Sequence, residues 1–176
     1  DLGTRKTQES YRNPRLVYRN LGNGRFEDVS SQAGPGIAQQ KSSRGAAFGD
    51  FDNDGDVDVL VMNMGDAPSL LKNDLAGSNH WIQLRLEGSK SNRSAIGATV
   101  QVETAGAVQT QSVLSQSSYI SQNDFRLHFG LGSAARLDRI TVRWPSGTKE
   151  QFPGVPADGQ FLLVEGSGTS KLVPGN

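Results

Sequence analysis

The chain has 176 residues, with 18 basic and 18 acidic side chains and a formal net charge of +0. This length suits one to two domains with a buried core. The balance of basic and acidic side chains argues against a nucleic-acid-binding protein, which has a clustered surplus of basic residues. The chain has no cysteine for a disulfide framework and no apolar run of transmembrane length. Because it begins at Asp1 rather than Met, we expect a processed or excised fragment.

The first predicted elements are short strands within residues 14–74. Asn23-Gly24 is a strong turn signal between two of them. The triplet Tyr18-Arg19-Asn20 has a counterpart in Leu71-Lys72-Asn73, at an interval that suits one propeller blade with its connection. A single blade does not bury both of its faces. Residues 14–74 are therefore predicted to be a blade separated from its neighbours.

The stretch from Phe48 to Asp58 carries the strongest chemical signal. It places carboxylates at alternating positions around Gly55, which are Asp50, Asp52, Asp54, Asp56 and Asp58. Like charges at this density repel one another unless a cation lies among them. Oxygen ligands at alternating positions suit Ca²⁺, which takes about 6–8 of them. We expect Asp50, Asp52, Asp54 and Asp58 to bind through their side chains and Asp56 through its backbone carbonyl.

Two other interpretations of this stretch were weighed. An EF-hand has the same opening but needs a Glu at the twelfth loop position and flanking helices. That position is Val61, and residues 57–62 read as a buried strand, so a strand–loop–strand site is favoured. The other alternative is a solvated acidic turn without metal.

Period-2 alternation dominates residues 78–165. Apolar side chains alternate with polar ones in four segments, represented by Ile82-Leu84-Leu86, Val100-Val102, Leu127-Phe129-Leu131 and Ile140-Val142-Trp144. This pattern is typical of half-buried strands, and the turn signals between them predict an all-β sandwich or barrel-like domain. Trp81 and Trp144 are expected to fill its core, and His80 and His128 to be structural or solvent-facing. Residues 1–13 and 166–176 are expected to be flexible ends.

Two family resemblances follow from these residues. Leu16–Val29, Ser43–Asp50 and the Asp loop resemble the FG-GAP repeat, the calcium loop of integrin-type β-propellers. Asn79–Gly88, Ser91–Val100, Ser118–Asn123, Leu127–Gly132 and Val142–Gly147 resemble the ASPIC/UnbV module of cartilage acidic protein-like secreted proteins. The resemblance implies a partial propeller blade with a calcium loop, followed by a second β domain. It also implies calcium ligation by Asp50, Asp52, Asp54 and Asp58.

The expected function is that of a calcium-stabilised, non-catalytic, extracellular module for binding or adhesion. We expect a secreted or cell-surface location, or a periplasmic or outer-surface one in a bacterium. The alternative is an accessory or catalytic domain of a glycan-active enzyme, for which Asp124 with Asp138 or Glu103 would be the acid pair.

A candidate ligand surface lies in the hydroxyl- and amide-rich segment 115–124. Its predicted contact residues are Tyr119, Gln122, Asn123 and Asp124. The alternative is a polar strand with its turn. The expected partner is an extracellular protein or glycan, with neither nucleic acid nor membrane insertion. The uncovered blade is expected either to pack against residues 78–165 or to pair two chains through its exposed edge.

Overall fold

The structure, a computed structural model, describes residues 11–74 and 77–174. Its elements are almost entirely strands, which confirms the predicted all-β class. The N-terminal module, residues 11–74, contains β1 (Tyr18–Gly22), β2 (Arg25–Asp28), a 3-10 turn (Ser30–Gln32), α1 (Pro35–Ala38), β3 (Ser43–Gly49), β4 (Asp58–Asn63) and β5 (Ser69–Leu71). No helix of the described ranges is both long and apolar enough to cross a membrane.

The N-terminal module consists of two small antiparallel sheets. Strands β1 and β2 form a hairpin that turns at Asn23 and Gly24, both with positive φ, as the Asn-Gly signal predicts. Strands β3, β4 and β5 form a separate three-stranded sheet, and the Asp loop connects β3 to β4. The blade is therefore partial, and the hairpin does not extend its sheet.

Polar groups organise much of this thin module. Asn63, at the end of β4, is 9% exposed. It donates to Ala67 O and Ser69 Oγ and accepts from Arg15 and Ser43. Val61 is the buried apolar side chain that residues 11–74 contribute. Hydrogen bonds thus hold together a sheet that has little apolar burial of its own.

One face of the three-stranded sheet remains open. Leu60 faces Ala47 on β3 and Leu70 on β5, and Leu60, Met62 and Leu70 are all exposed. This agrees with the expectation that a lone blade lacks cover. The unpaired side of β5 is the free edge of that sheet.

The C-terminal module is a β-sandwich of two four-stranded sheets. Its strands are β6 (His80–Glu87), β7 (Thr99–Thr104), β8 (Ala107–Ser112), β9 (Leu127–Gly132), β10 (Arg139–Arg143), β11 (Lys149–Pro153), β12 (Gly159–Val164) and β13 (Ser170–Val173). One sheet has the order β11-β10-β7-β8, and the other has the order β13-β12-β6-β9. The predicted inward-facing residues form the core between them, including Ile82, Leu84, Val100, Phe129, Ile140, Val142 and Trp144.

The structure corrects two expectations about this module. Residues 170–173 were expected to lie in a flexible end, but they pair with β12 as β13. Residues 1–10 and 175–176 lie outside the described residues. Trp81 was expected in the core beside Trp144, but it lies on the outer face of its sheet, half-buried against the Asp loop.

Candidate metal site between the two modules

The Asp loop brings three of its carboxylates together. Asp50 follows the last residue of β3, and Asp58 is the first residue of β4. One oxygen each of Asp50, Asp52 and Asp58 lies within 4.8 Å of the others. Asp50 is 4% exposed and Asp58 is 2% exposed, so two like charges are buried side by side. Such an arrangement is costly unless a cation or hydrogen-bond donors offset the charge.

Backbone donors fix both buried carboxylates. Asp50 Oδ1 accepts from Asp54 N at 3.1 Å, and Asp50 Oδ2 accepts from Gly55 N at 3.0 Å. Asp58 accepts from Phe51 N at 2.9 Å and from Asn73 N at 2.8 Å. The loop therefore wraps around its own first and last carboxylates. Asn73, just after β5, adds a donor to Asp58 from outside the loop.

Asp54 and Asp56 lie outside the group of three. Asp54 Oδ1 accepts from Asp56 N at 2.9 Å, and its other oxygen lies 3.8 Å from Lys72 Nζ. Burial, together with the negative charge of Asp54, raises the pKa of Asp56. The predicted side-chain ligation by Asp54 and carbonyl ligation by Asp56 remain predictions.

Lys72 supplies a positive charge at the exposed side of the site. Its Nζ lies 2.9 Å from Asp52 Oδ2 and 2.6 Å from Asp74 Oδ1. The hydrogen bond from Lys72 lowers the pKa of Asp52, which keeps this carboxylate ionised. An ammonium group and a metal ion would thus share the Asp52 carboxylate.

The donor set fits a hard divalent cation. Three carboxylates converge without any nitrogen or sulfur ligand among them, and oxygen ligands suit Ca²⁺ or Mg²⁺. Asp50 and Asp58 are already oriented by backbone donors, so little reorganisation is needed for binding. Asp50, Asp52 and Asp58 are the residues that would hold the ion.

Gly55, at the turn of the Asp loop, contacts the sandwich directly. It has a φ of +96°, and a Cβ at this position would overlap the indole ring of Trp81. His128 Nε2 lies 2.7 Å from Gly55 O, and its ring stacks with that of Trp81 at a centroid distance of 6.0 Å. Glycine is therefore required here by backbone conformation and by close packing.

Three neighbouring strands present one row of side chains to this loop. Gln83 on β6 is the register partner of His128 on β9 and of Gln160 on β12. Gln83 Nε2 donates to Asp50 Oδ2 at 2.7 Å, and Gln160 Nε2 donates to Asn53 Oδ1 at 3.1 Å. We call Gln160, Gln83 and His128 the docking row, because each contacts the Asp loop.

Arg126 reinforces the same contact from the chain just before β9. Its guanidinium donates to Asp50 O at 2.8 Å and to Asn53 Oδ1 at 2.6 Å. The same group is paired with Asp124. The Asp loop is consequently held by side chains of the other module.

The four residues of the predicted ligand surface have two different environments in the structure. Asn123 Oδ1 accepts from Phe48 N at 3.1 Å, and Asp124 N donates to Phe48 O at 2.9 Å, so both residues attach to β3. Tyr119 and Gln122 are exposed, Tyr119 at 65%. Segment 118–124 covers the edge of β3, and a ligand role for these residues remains a prediction.

The residues weighed for catalysis each have a local partner. Glu103 pairs with Arg139, Asp138 accepts from Ala105 N, and Asp124 pairs with Arg126. His80 Nδ1 lies 2.7 Å from Asp158 Oδ2. These contacts account for each group structurally.

Comparison with known families agrees with the two-module geometry. A family model described as FG-GAP-like repeat matches residues 9–61, and one described as ASPIC and UnbV matches residues 88–170. The chain joins an FG-GAP-like repeat to an ASPIC/UnbV domain. A search of curated proteins found no match. Both domains are of extracellular type, and FG-GAP repeats often bind calcium.

The contribution of the ASPIC/UnbV domain to the candidate metal site was missed by sequence reasoning. Alternation correctly placed Gln83 opposite Ile82 and Leu84, on the face expected to be polar, but Gln83 is 2% exposed. Its burial depends on the FG-GAP loop covering that face. One signal of this burial was available in the sequence. Gln83 is uncharged, whereas Arg85 and Glu87, the next two residues on the same face of the strand, are charged.

Proposed function

We propose that the chain is a calcium-stabilised extracellular module that binds a protein or glycan partner and has no catalytic activity. The observation that carries this proposal is the convergence of Asp50, Asp52 and Asp58 at the contact between the FG-GAP repeat and the ASPIC/UnbV domain. In this role the cation would offset two buried negative charges and fix the loop against the sandwich. Calcium is favoured because the ligands are hard oxygens in a flexible loop rather than a rigid octahedral cage.

The location follows from the same chemistry. FG-GAP domains are typically extracellular, and a site of this kind would be occupied where free calcium is plentiful. We therefore place the protein outside the cytoplasm, in a secreted or surface-exposed form.

The open face of the FG-GAP sheet supports a role in association. Leu60, Met62 and Leu70 present exposed apolar side chains beside the free edge of β5. Exposed apolar surface and unpaired strand edges are both association sites. A partner protein, or a second copy of the chain, would bind there.

Binding and catalysis can be separated directly. The calcium-loaded protein would be applied to a glycan array and, in parallel, incubated with a panel of chromogenic glycosides. We expect no turnover of any glycoside beyond a heat-denatured sample. Turnover that is lost in Asp138→Asn or Glu103→Gln would overturn the non-catalytic proposal and favour the glycan-active enzyme.

A further inference from the structure

Gln83 is a buried amide whose placement has an energetic cost. It lies in the middle of β6 with 2% exposure, and its Oε1 has no hydrogen-bond partner among the described residues. A buried acceptor without a partner costs about 1–3 kcal/mol. An apolar side chain of the same size would avoid that cost, so the sandwich itself has no need of glutamine here.

Among the residues that the structure describes, the Gln83 side chain makes one hydrogen bond, and it goes to the candidate metal site. Its Nε2 donates to Asp50 Oδ2 at 2.7 Å, and Gly55 N donates to the same oxygen. Asp54 N occupies one position on Oδ1. A carboxylate offers about four acceptor positions, so these three donors leave about one, on Oδ1. Asp50 is thereby held in a single orientation with one lone pair directed away from its donors.

We propose that Gln83 of the ASPIC/UnbV domain is a positioning residue for the cation site of the FG-GAP loop. This inference rests on the proposed calcium site. Gln83 fixes Asp50 from outside the loop, so the repeat has a fully ordered first ligand only when the sandwich is docked against it. Partners that orient a metal ligand typically contribute 10–100-fold to metal affinity.

Reciprocity follows from thermodynamic linkage. If docking of the sandwich tightens cation binding, then cation binding must tighten docking by the same factor. The metal would therefore stabilise the contact between the two modules as well as the conformation of the Asp loop.

The test uses the full chain with Gln83→Met, which keeps the length of the side chain and removes the donor. Gln109→Met is the matched control, because Gln109 Nε2 donates to Gly130 O within the sandwich and does not touch the loop. The calcium dissociation constant is measured by titration calorimetry. Terbium emission excited through Trp81, which contacts Gly55, reports on the same site independently.

We expect Gln83→Met to weaken calcium and terbium binding about 10–100-fold, with Gln109→Met unchanged. The melting temperature of Gln83→Met in chelator should stay close to that of wild type. A purely structural role would show the opposite pattern, with a lower melting temperature in chelator and an unchanged dissociation constant.

The outcomes separate this inference from the proposed function. If wild type binds neither ion, the proposed calcium site fails. If wild type binds and Gln83→Met binds equally well, only the positioning role of Gln83 fails. Should Gln83→Met not fold, Gln83→Asn, which keeps the amide but shortens its reach, must show the same weakening, and unchanged affinity in that variant overturns the inference.

Discussion

At the scale of single residues, Lys72 is, within the described part of the chain, the positive charge closest to the carboxylates of the candidate metal site. Its ammonium contacts Asp52, which is one of the three converging carboxylates. A divalent ion bound there would be repelled by this positive charge. At 4 Å in water, two unit charges interact by about 1 kcal/mol, so the repulsion is significant even at an exposed position.

Replacing Lys72 is therefore expected to strengthen calcium binding. Lys72→Met should lower the calcium dissociation constant roughly three- to tenfold at low salt, because about 1.4 kcal/mol corresponds to tenfold. The gain should shrink as salt screens the exposed charge. Titration calorimetry at two salt concentrations measures both effects, with Lys149→Met on β11 as a control. Weaker binding in Lys72→Met would mean that Lys72 orients Asp52 rather than competing with the ion.

Glu165 is a buried carboxylate that organises a loop through its hydrogen-bond donors. It accepts from the backbone N–H groups of Ser89, Lys90 and Ser91 and from the hydroxyl of Ser146. Burial raises its pKa, but the hydrogen bonds from Ser146 and from these backbone groups outweigh that effect and hold the pKa at about 2. The carboxylate stays ionised and ties the 88–91 loop to the end of β12.

This depressed pKa makes a signed prediction about acid stability. Since the folded-state pKa of Glu165 lies below its ordinary value of 4.5, its stabilising contribution is present above pH 4.5 and is lost as the pH falls toward 2. Urea unfolding midpoints of wild type should fall across this window more steeply than those of Glu165→Gln. Both series are recorded in chelator. Equal slopes for the two proteins would contradict this role for Glu165.

At the scale of elements, the contact between the Asp loop and the β12-β6-β9 face decides how the two modules are joined. Gly55 lies against Trp81 where no side chain fits. Gly65, in the turn after β4, also has a positive φ, but a Cβ there would meet nothing within 4 Å. Comparing alanine substitutions at these two glycines separates the cost of an unfavourable backbone conformation from the cost of steric overlap with Trp81.

Gly55→Ala should therefore destabilise the chain more than Gly65→Ala. Overpacking of a tight contact costs about 1–3 kcal/mol, and this cost applies only at Gly55. Chemical denaturation of the two variants measures the difference. Trp81 fluorescence should also change in Gly55→Ala because the loop must move off its ring. Equal destabilisation by the two substitutions would show that the Trp81 contact contributes nothing.

The elements that carry a local signal could be predicted from the sequence, whereas β13, in a segment expected to be flexible, could not. Alternation located the strands that carry Ile82, Phe129 and Val142, and Asn23-Gly24 located the hairpin turn. The Asp loop was located between two strands because Val57–Met62 reads as a strand. These are period-2 and turn signals, which need no knowledge of tertiary contacts.

Packing of the blade against residues 78–165 was one of the two expected outcomes, but the surfaces that meet, the Asp loop and the outer face of β12-β6-β9, could not be predicted in the same way. Their contact depends on the register that places Gln160, Gln83 and His128 side by side across three strands, two of which are parallel. Residues so distant in sequence carry no local sign of their adjacency. The predicted position of Trp81 in the core was wrong for the same reason, because Trp81 packs against Gly55 of the other module.

At the scale of the whole molecule, the FG-GAP repeat and the ASPIC/UnbV domain differ in how they are stabilised. The residues of the apolar core all belong to the sandwich and run from Ile82 on β6 to Leu163 on β12. The FG-GAP repeat depends instead on buried polar groups and on its contact with the sandwich. A cation bound at Asp50, Asp52 and Asp58 would reinforce the module with less apolar burial at the place where it joins the sandwich. Calcium should thus influence the unfolding of both modules together.

The most direct test of this account is the melting of the full chain with calcium and after extended dialysis against chelator. Two-dimensional 1H–15N NMR resolves the indole N–H of Trp144, buried in the sandwich and far in sequence from the Asp loop, from the indole N–H of Trp81. At a hundred times the dissociation constant, calcium should add about 2.7 kcal/mol, or roughly 5–10 °C for a chain of this size. We predict that calcium raises the Trp144 transition by this amount and that Asp52→Ala abolishes the rise. A Trp144 transition that is the same in calcium and in chelator would contradict the account.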